Sequence, residues 1–194
     1  MLISKGNGTR YSGFQAATGN EIDLFCQQGV ATKFELKDFP GRVIDAWDGT
    51  RTDVTPKGSV VLGASASGRT MVTSHAYGRG RVLYCNFPIE SDSVYRTDCF
   101  TGEHPNPRYL VYRTAAKAAG IVRTVEKELP GVGITEHRLP DGRVACVAVN
   151  YEPSPASCPV SFSGRVTQSW GAGSVRDGKL EIGANDALVF IVEK

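Results

Sequence analysis

The chain has 194 residues, of which 41% are hydrophobic and 22% charged, with 22 Gly and 10 Pro; this composition excludes disordered, fibrous and low-complexity classes and suits one large domain or two small ones. The 22 basic and 20 acidic residues leave a formal charge of +2 without a long run of either sign, so no nucleic-acid partner is expected. The longest apolar stretches, such as Val144 to Val149, fall far short of the ~20 residues that span a bilayer, and the chain opens without a basic segment followed by an apolar one. These features predict a soluble, cytoplasmic protein with no membrane partner.

Leu2-Ile3-Ser4 reads as a strand with no turn or cap before it, as if cut from something longer. Thr9 is placed to cap a short helix carrying Tyr11, Phe14 and Ala17 on one face, and Gly19 stands where a left-handed residue closes a helix. From Ala31 to Asp38 apolar and polar residues alternate loosely, and Val60 to Ala64, Thr70 to His75 and Arg81 to Phe87 are β-rich runs. The last two form a hairpin through Tyr77-Gly78-Arg79-Gly80. An aperiodic stretch follows from Ile89 to Asn106, long enough to suggest a functional loop. Asn106 then offers a helix cap and Pro107 a first turn, with Val111, Ala115, Ala118 and Ala119 on one face before Gly120. Beyond it, short strands with turns at Pro140-Asp141-Gly142, Glu152 to Pro155, Gly171 to Gly173 and Asp177-Gly178 predict a β-sandwich. Val144 to Tyr151 is its central strand, and Val160, Phe162, Val166, Leu180, Ile182, Leu188, Phe190 and Val192 supply the inner faces.

Five widely spread cysteines, Cys26, Cys85, Cys99, Cys146 and Cys158, are expected to be free thiols, and three scattered histidines, His75, His104 and His137, suggest no metal site. No cofactor is implied. Gly78-Arg79-Gly80 lacks the spacing of a phosphate loop and reads as a turn. Trp47, Tyr151 and Trp170 could stack on sugar rings where exposed, although single aromatics in β segments are more often packing residues.

The segment Tyr77-Gly78-Arg79-Gly80-Arg81-Val82-Leu83-Tyr84-Cys85-Asn86-Phe87-Pro88-Ile89-Glu90 resembles one in bacterial glycoside hydrolases of the β-galactosidase type. The opening strand with Phe14 to Ile22 resembles the later part of the amidotransferase-like domain that follows the (β/α)8 barrel of those enzymes. Asp141-Gly142-Arg143, Val147 to Tyr151 and Ala184 to Ala187 resemble their C-terminal sandwich. The resemblance implies an α/β plus all-β chain: residues 1–122 a partial flavodoxin-like open sheet of the class I glutamine amidotransferase kind, residues 123–194 a small antiparallel β-sandwich.

It implies no catalytic residue here, because the paired glutamates of such hydrolases reside on the barrel. A retaining glycosidase needs two carboxylates roughly 5–5.5 Å apart, and the spacing of Glu21, Glu90, Asp92 and Glu103 does not bring two together. Amidotransferase chemistry needs a cysteine on a tight elbow and a histidine. Cys26 lacks flanking glycines, and Phe87-Pro88-Ile89-Glu90 stands where true amidotransferases carry His-Pro-Glu. The expected function is that of a non-catalytic C-terminal portion of a glycoside hydrolase. Its expected partners are its own barrel and further copies of itself, and Glu90, Asp92, Arg96 and His104 are candidate contacts to a sugar site or subunit. Two alternatives remain open, a free-standing carbohydrate-binding or protein-interaction module resting on Trp170, and a thiol hydrolase, which would need an exposed cysteine of low pKa.

Overall fold

The computed structural model describes residues 2–4, 12–90, 106–129 and 131–194, which fall into two compact units, the second beginning at Val122. The first unit holds the strands β1 (Leu2–Ser4), β2 (Asn20–Leu36), β3 (Val43–Pro56), β4 (Val60–Ser65), β5 (Thr70–Tyr77) and β6 (Gly80–Cys85), with helices α1 (Ser12–Thr18) and α2 (Tyr109–Ala118). Among the described residues these strands form one sheet in the order β1-β6-β5-β4-β2-β3. The expectation from sequence is a partial flavodoxin-like open sheet in which β5 and β6 form a hairpin. In the described residues only β1 and β6 run parallel, with Leu2 opposite Leu83, and the other pairings are antiparallel. Connection length decides this. Gly78 and Arg79 alone join β5 to β6, and residues 66–69 join β4 to β5, whereas a parallel pair needs a crossover of roughly a dozen residues.

The hairpin of β2 and β3 is the longest feature of the unit, pairing from Asn20↔Pro56 to Glu35↔Val43 with a register break between Asp23 and Gln27. Only its end is legible as a period of two: Thr32, Phe34 and Leu36 are buried while Ala31, Lys33 and Glu35 are exposed. Phe34 and Leu36 join Ile44, Ala46, Met71, Val72, Cys85 and Phe87 in the core, which α2 closes with Leu110 and Val111. The Phe34 and Phe87 rings meet at 5.3 Å, tilted by 59°. Burying each such side chain contributes ~1.5–3 kcal/mol.

The buried face of α2 is Leu110, Val111 and Thr114, so Ala118 and Ala119, expected to face the core, are exposed. Asn106 does not cap the helix. The preceding residue is Arg108, already helical at φ −62 and ψ −27 and without a side-chain cap. The Asn106 side chain instead pairs with the backbone of Asp45 on β3, accepting from its N–H at 3.2 Å and donating to its carbonyl. Arg108 Nη2 donates to that same carbonyl at 2.8 Å. Since β3 is the outer strand, an asparagine amide there does the work of a neighbouring strand and closes part of an open edge.

The second unit contains β7 (Val125–Lys127), β8 (Val132–Arg138), β9 (Val144–Asn150), β10 (Ala156–Phe162), β11 (Arg165–Trp170), β12 (Ser174–Arg176), β13 (Lys179–Ile182) and β14 (Ala187–Glu193). They make two antiparallel sheets, β12-β13-β10-β7 and β11-β14-β9-β8. Val144, Cys146, Ala148, Val160, Leu180, Ile182, Leu188, Phe190 and Val192 share one core, with Phe162 and Val166 packed against it. Every second residue of β9 points into it, and β9 lies between β8 and β14. Asp177 (φ 52) and Gly178 (φ 70) both take the left-handed conformation that a two-residue hairpin turn requires.

Two polar side chains tie this unit together. Asn150 is buried; its amide donates to the carbonyls of Ser154 and Gly183, each at 2.8 Å, and its oxygen accepts from the Glu152 N–H at 3.0 Å. Glu136, on β8, reaches to the start of β7 in the other sheet. Its carboxylate accepts from the N–H groups of Thr124 at 2.9 Å and Val125 at 3.1 Å and from Arg123 Nε at 3.1 Å. Burial alone would push this carboxyl up, but those donors together outweigh it and hold the pKa below the ordinary value.

Candidate functional site

The chain leaves β6 through a fixed exit. Asn86 is buried, its N–H donates to the Met71 carbonyl at 2.8 Å, and its side chain donates to the Thr70 carbonyl at 3.1 Å. Phe87 and Ile89 turn into the core, and Glu90 emerges exposed. Of the candidate contacts Glu90, Asp92, Arg96 and His104, only Glu90 can be placed; the other three, with residues 91–105, lie outside the described residues. Glu90 Oε1 accepts a hydrogen bond of 2.8 Å from the hydroxyl of Tyr112 on α2. Burial, then the hydrogen bond and charge of Glu90, push the Tyr112 phenol up to about 12. The phenol therefore stays protonated at neutral pH and donates to the Glu90 carboxylate. Tyr112 escapes a sequence reading because its neighbour Val111 marks the buried face of the same helix.

Glu21, at the start of β2, is exposed and sits 3.5 Å from Lys57 Nζ. Burial pushes the Cys85 thiol up to about 12. Burial, reinforced by the charge of Glu136, pushes Cys146 up to about 11. Burial raises Cys158 against the opposing charge of Lys127. An active nucleophile needs the opposite shift. Phe87 is core. Glu103, Cys99 and the side chains of Cys26 and Trp47 lie outside the described residues. Among those residues no group of three or more His, Cys, Asp or Glu is arranged to hold a metal ion, and no helix is long and apolar enough to cross a membrane.

A buried polar node joins α1 to β4 and β5, and nothing in local sequence announces it. Asn20 donates to Thr73 Oγ1 at 2.7 Å and to the Thr18 carbonyl at 3.1 Å, and it accepts from Ser59 Oγ at 2.6 Å. Gly19, at φ +64, closes α1 where a Cβ would lie 2.5 Å from His75 Nδ1. A cluster so fully satisfied specifies one packing rather than offering a reactive group.

On the second unit two aromatic rings face solvent. Trp170, at the end of β11, is 53% exposed and Tyr151, just past β9, is 67% exposed. The Tyr151 ring lies against Gly133 of β8, where a Cβ would come within 2.9 Å of it.

No protein-family model matches the sequence, and no curated protein matches it. Solved structures do. A β-galactosidase from Bacillus circulans sp. alkalophilus superposes at a TM-score of 0.57 and 15% identity, covering 96% of this chain and 26% of that one. A catalytic mutant of a GH42 β-galactosidase from G. stearothermophilus gives 0.55 at 16% identity, covering 96% of this chain and 25% of that one. A β-galactosidase from Rahnella sp. R3 gives 0.53 at 16% identity, covering 91% and 24%. The likeness is one of fold, and the chain spans about a quarter of the length of these proteins.

Proposed function

We propose that the chain is a non-catalytic C-terminal portion of a glycoside hydrolase, serving packing, subunit assembly or one wall of a sugar site. In this reading residues 1–122 are the later part of a glutamine amidotransferase-like domain and residues 123–194 a supporting sandwich. The observation that carries it is the fold match, which runs through 96% of the chain against about a quarter of a β-galactosidase. The parallel pairing of β1 with β6 supports the amidotransferase-like assignment. The buried thiols and the pairing of Glu90 with a protonated tyrosine agree with a supporting role. The partners in this reading are a catalytic barrel and further copies of the chain.

The test is an assay of the purified full chain on 4-nitrophenyl β-galactoside beside light scattering. A folded, self-associating protein without turnover supports the reading. Turnover that disappears in Glu90→Gln, or on altering another of the chain's own carboxylates, refutes it. A second reading, a carbohydrate-binding module acting alone, draws on the exposure of Trp170 and Tyr151.

A further inference from the structure

The two exposed rings belong to one face. Residues directly opposite in antiparallel strands share a side of the sheet, and Trp170 stands opposite Val189, Val189 opposite Val147, and Val147 opposite Thr135. Ala187, Val149 and Gly133 form the adjoining row. The core takes Leu188, Phe190, Cys146 and Ala148 from the other side, so both rows lie on the outer face. Gly133 belongs to this face by register, and the missing Cβ there is filled by the Tyr151 ring. Tyr151 thus lies at the β8 end and Trp170 at the β11 end, with half-buried Val147, Val149 and Val189 between them and exposed Thr135 and Gln168 alongside.

The strip crosses three strand spacings, about 14 Å, and is two residues deep, about 7 Å. Its two rings alone, 53% and 67% exposed, present roughly 270 Å², whereas a stable protein complex buries about 800 Å² on each partner. That area is small for a protein partner and suits a narrow ligand with an apolar face and polar edges. Pyranose rings joined through equatorial bonds have that form, offering C–H faces to aromatic rings and hydroxyls to flanking polar groups.

We infer that the outer face of sheet β11-β14-β9-β8 is a carbohydrate platform, taking a linear, equatorially linked oligosaccharide across the strands from Tyr151 to Trp170. This rests on the second reading above, that the chain binds carbohydrate. The experiment titrates the full chain with cellotetraose, β-1,4-mannotetraose and the bent maltotetraose, followed by calorimetry and tryptophan fluorescence. At least one of the first two binds with a Kd of about 1 mM or tighter, and maltotetraose binds more weakly. Trp170→Ala and Tyr151→Ala each weaken binding roughly fivefold or more, while Tyr151→Phe retains it. Gly133→Ala, which displaces the Tyr151 ring, weakens binding as well. Thermal melts confirm that the variants remain folded. Absence of binding to all three sugars at concentrations well above 1 mM overturns the inference, as does binding unchanged in both alanine variants. Self-association lost in Trp170→Ala without any sugar effect also overturns it, because the face would then be an interface between copies. Hydrolysis of a nitrophenyl sugar bears only on the supporting role proposed above.

Discussion

Replacing Glu136 tests whether the two sheets of the second unit are held by a charged side chain as well as by their common core. The carboxylate accepts from the backbone N–H groups of Thr124 and Val125 and from Arg123, and Thr124 and Val125 are only 4% and 2% exposed. In Glu136→Ala both N–H donors lose their partner, at ~1–3 kcal/mol for each buried group left unsatisfied. The Glu136 side chain is 18% exposed, so water can replace part of the loss, and the pair with half-exposed Arg123 adds at most ~1 kcal/mol. The expected cost is about 2–3 kcal/mol for Ala. It is about 1 kcal/mol for Gln, which keeps one acceptor oxygen. For a unit of this size, 2–3 kcal/mol lowers the melting temperature by roughly 10 °C or more. Because the folded carboxyl titrates below the unfolded value of about 4.3, its contribution is complete above that pH. It is lost as pH falls through the lower folded pKa, so wild type and Glu136→Gln converge in acid. Calorimetry across pH 2 to 7, with hydrogen exchange at Thr124 and Val125, reads both effects. An alanine variant within about 0.5 kcal/mol of wild type, or unchanged protection of those two amides, refutes the argument.

Gly19→Ala forces a side chain into the left-handed region and against His75; the expected loss exceeds ~2 kcal/mol in urea unfolding, against ~1 kcal/mol for Gly142→Ala, whose Cβ meets nothing within 4 Å. Asn106→Ala uncovers the edge of β3 at Asp45, lowering stability by ~1 kcal/mol and raising the rate of turbidity on warming. Cys85, Cys146 and Cys158, buried and raised in pKa, are expected to resist a thiol reagent at pH 8 until urea unfolds the chain, as peptide mass mapping would show; rapid labelling of Cys85 in the folded protein contradicts its placement.

The second unit is largely legible because its determinants are local. Strands such as Lys179–Ile182 alternate polar and apolar residues, and turns such as Asp177-Gly178 need backbone conformations that few residues adopt. The first unit is less so. The β2/β3 hairpin takes its length from cross-strand pairs such as Asn20 with Pro56 rather than from an internal period. Of the candidate site, sequence singles out Glu90, while its partner Tyr112 lies 22 residues away and is brought to it only when α2 packs.

Sequence by itself determined where the sandwich turns, which of its residues face inward, and that the β5/β6 connection is a hairpin, since each follows from the sterics of a few adjacent residues. Tertiary structure decided what Asn106 and Glu136 do. Asn106 looks like a helix cap but serves the backbone of Asp45, 61 positions earlier. Glu136, which nothing in the sequence singles out, ties one sheet to the other. A polar side chain bonds to whatever donor or acceptor the folded chain leaves unpaired beside it, and that partner exists only after the strands have met.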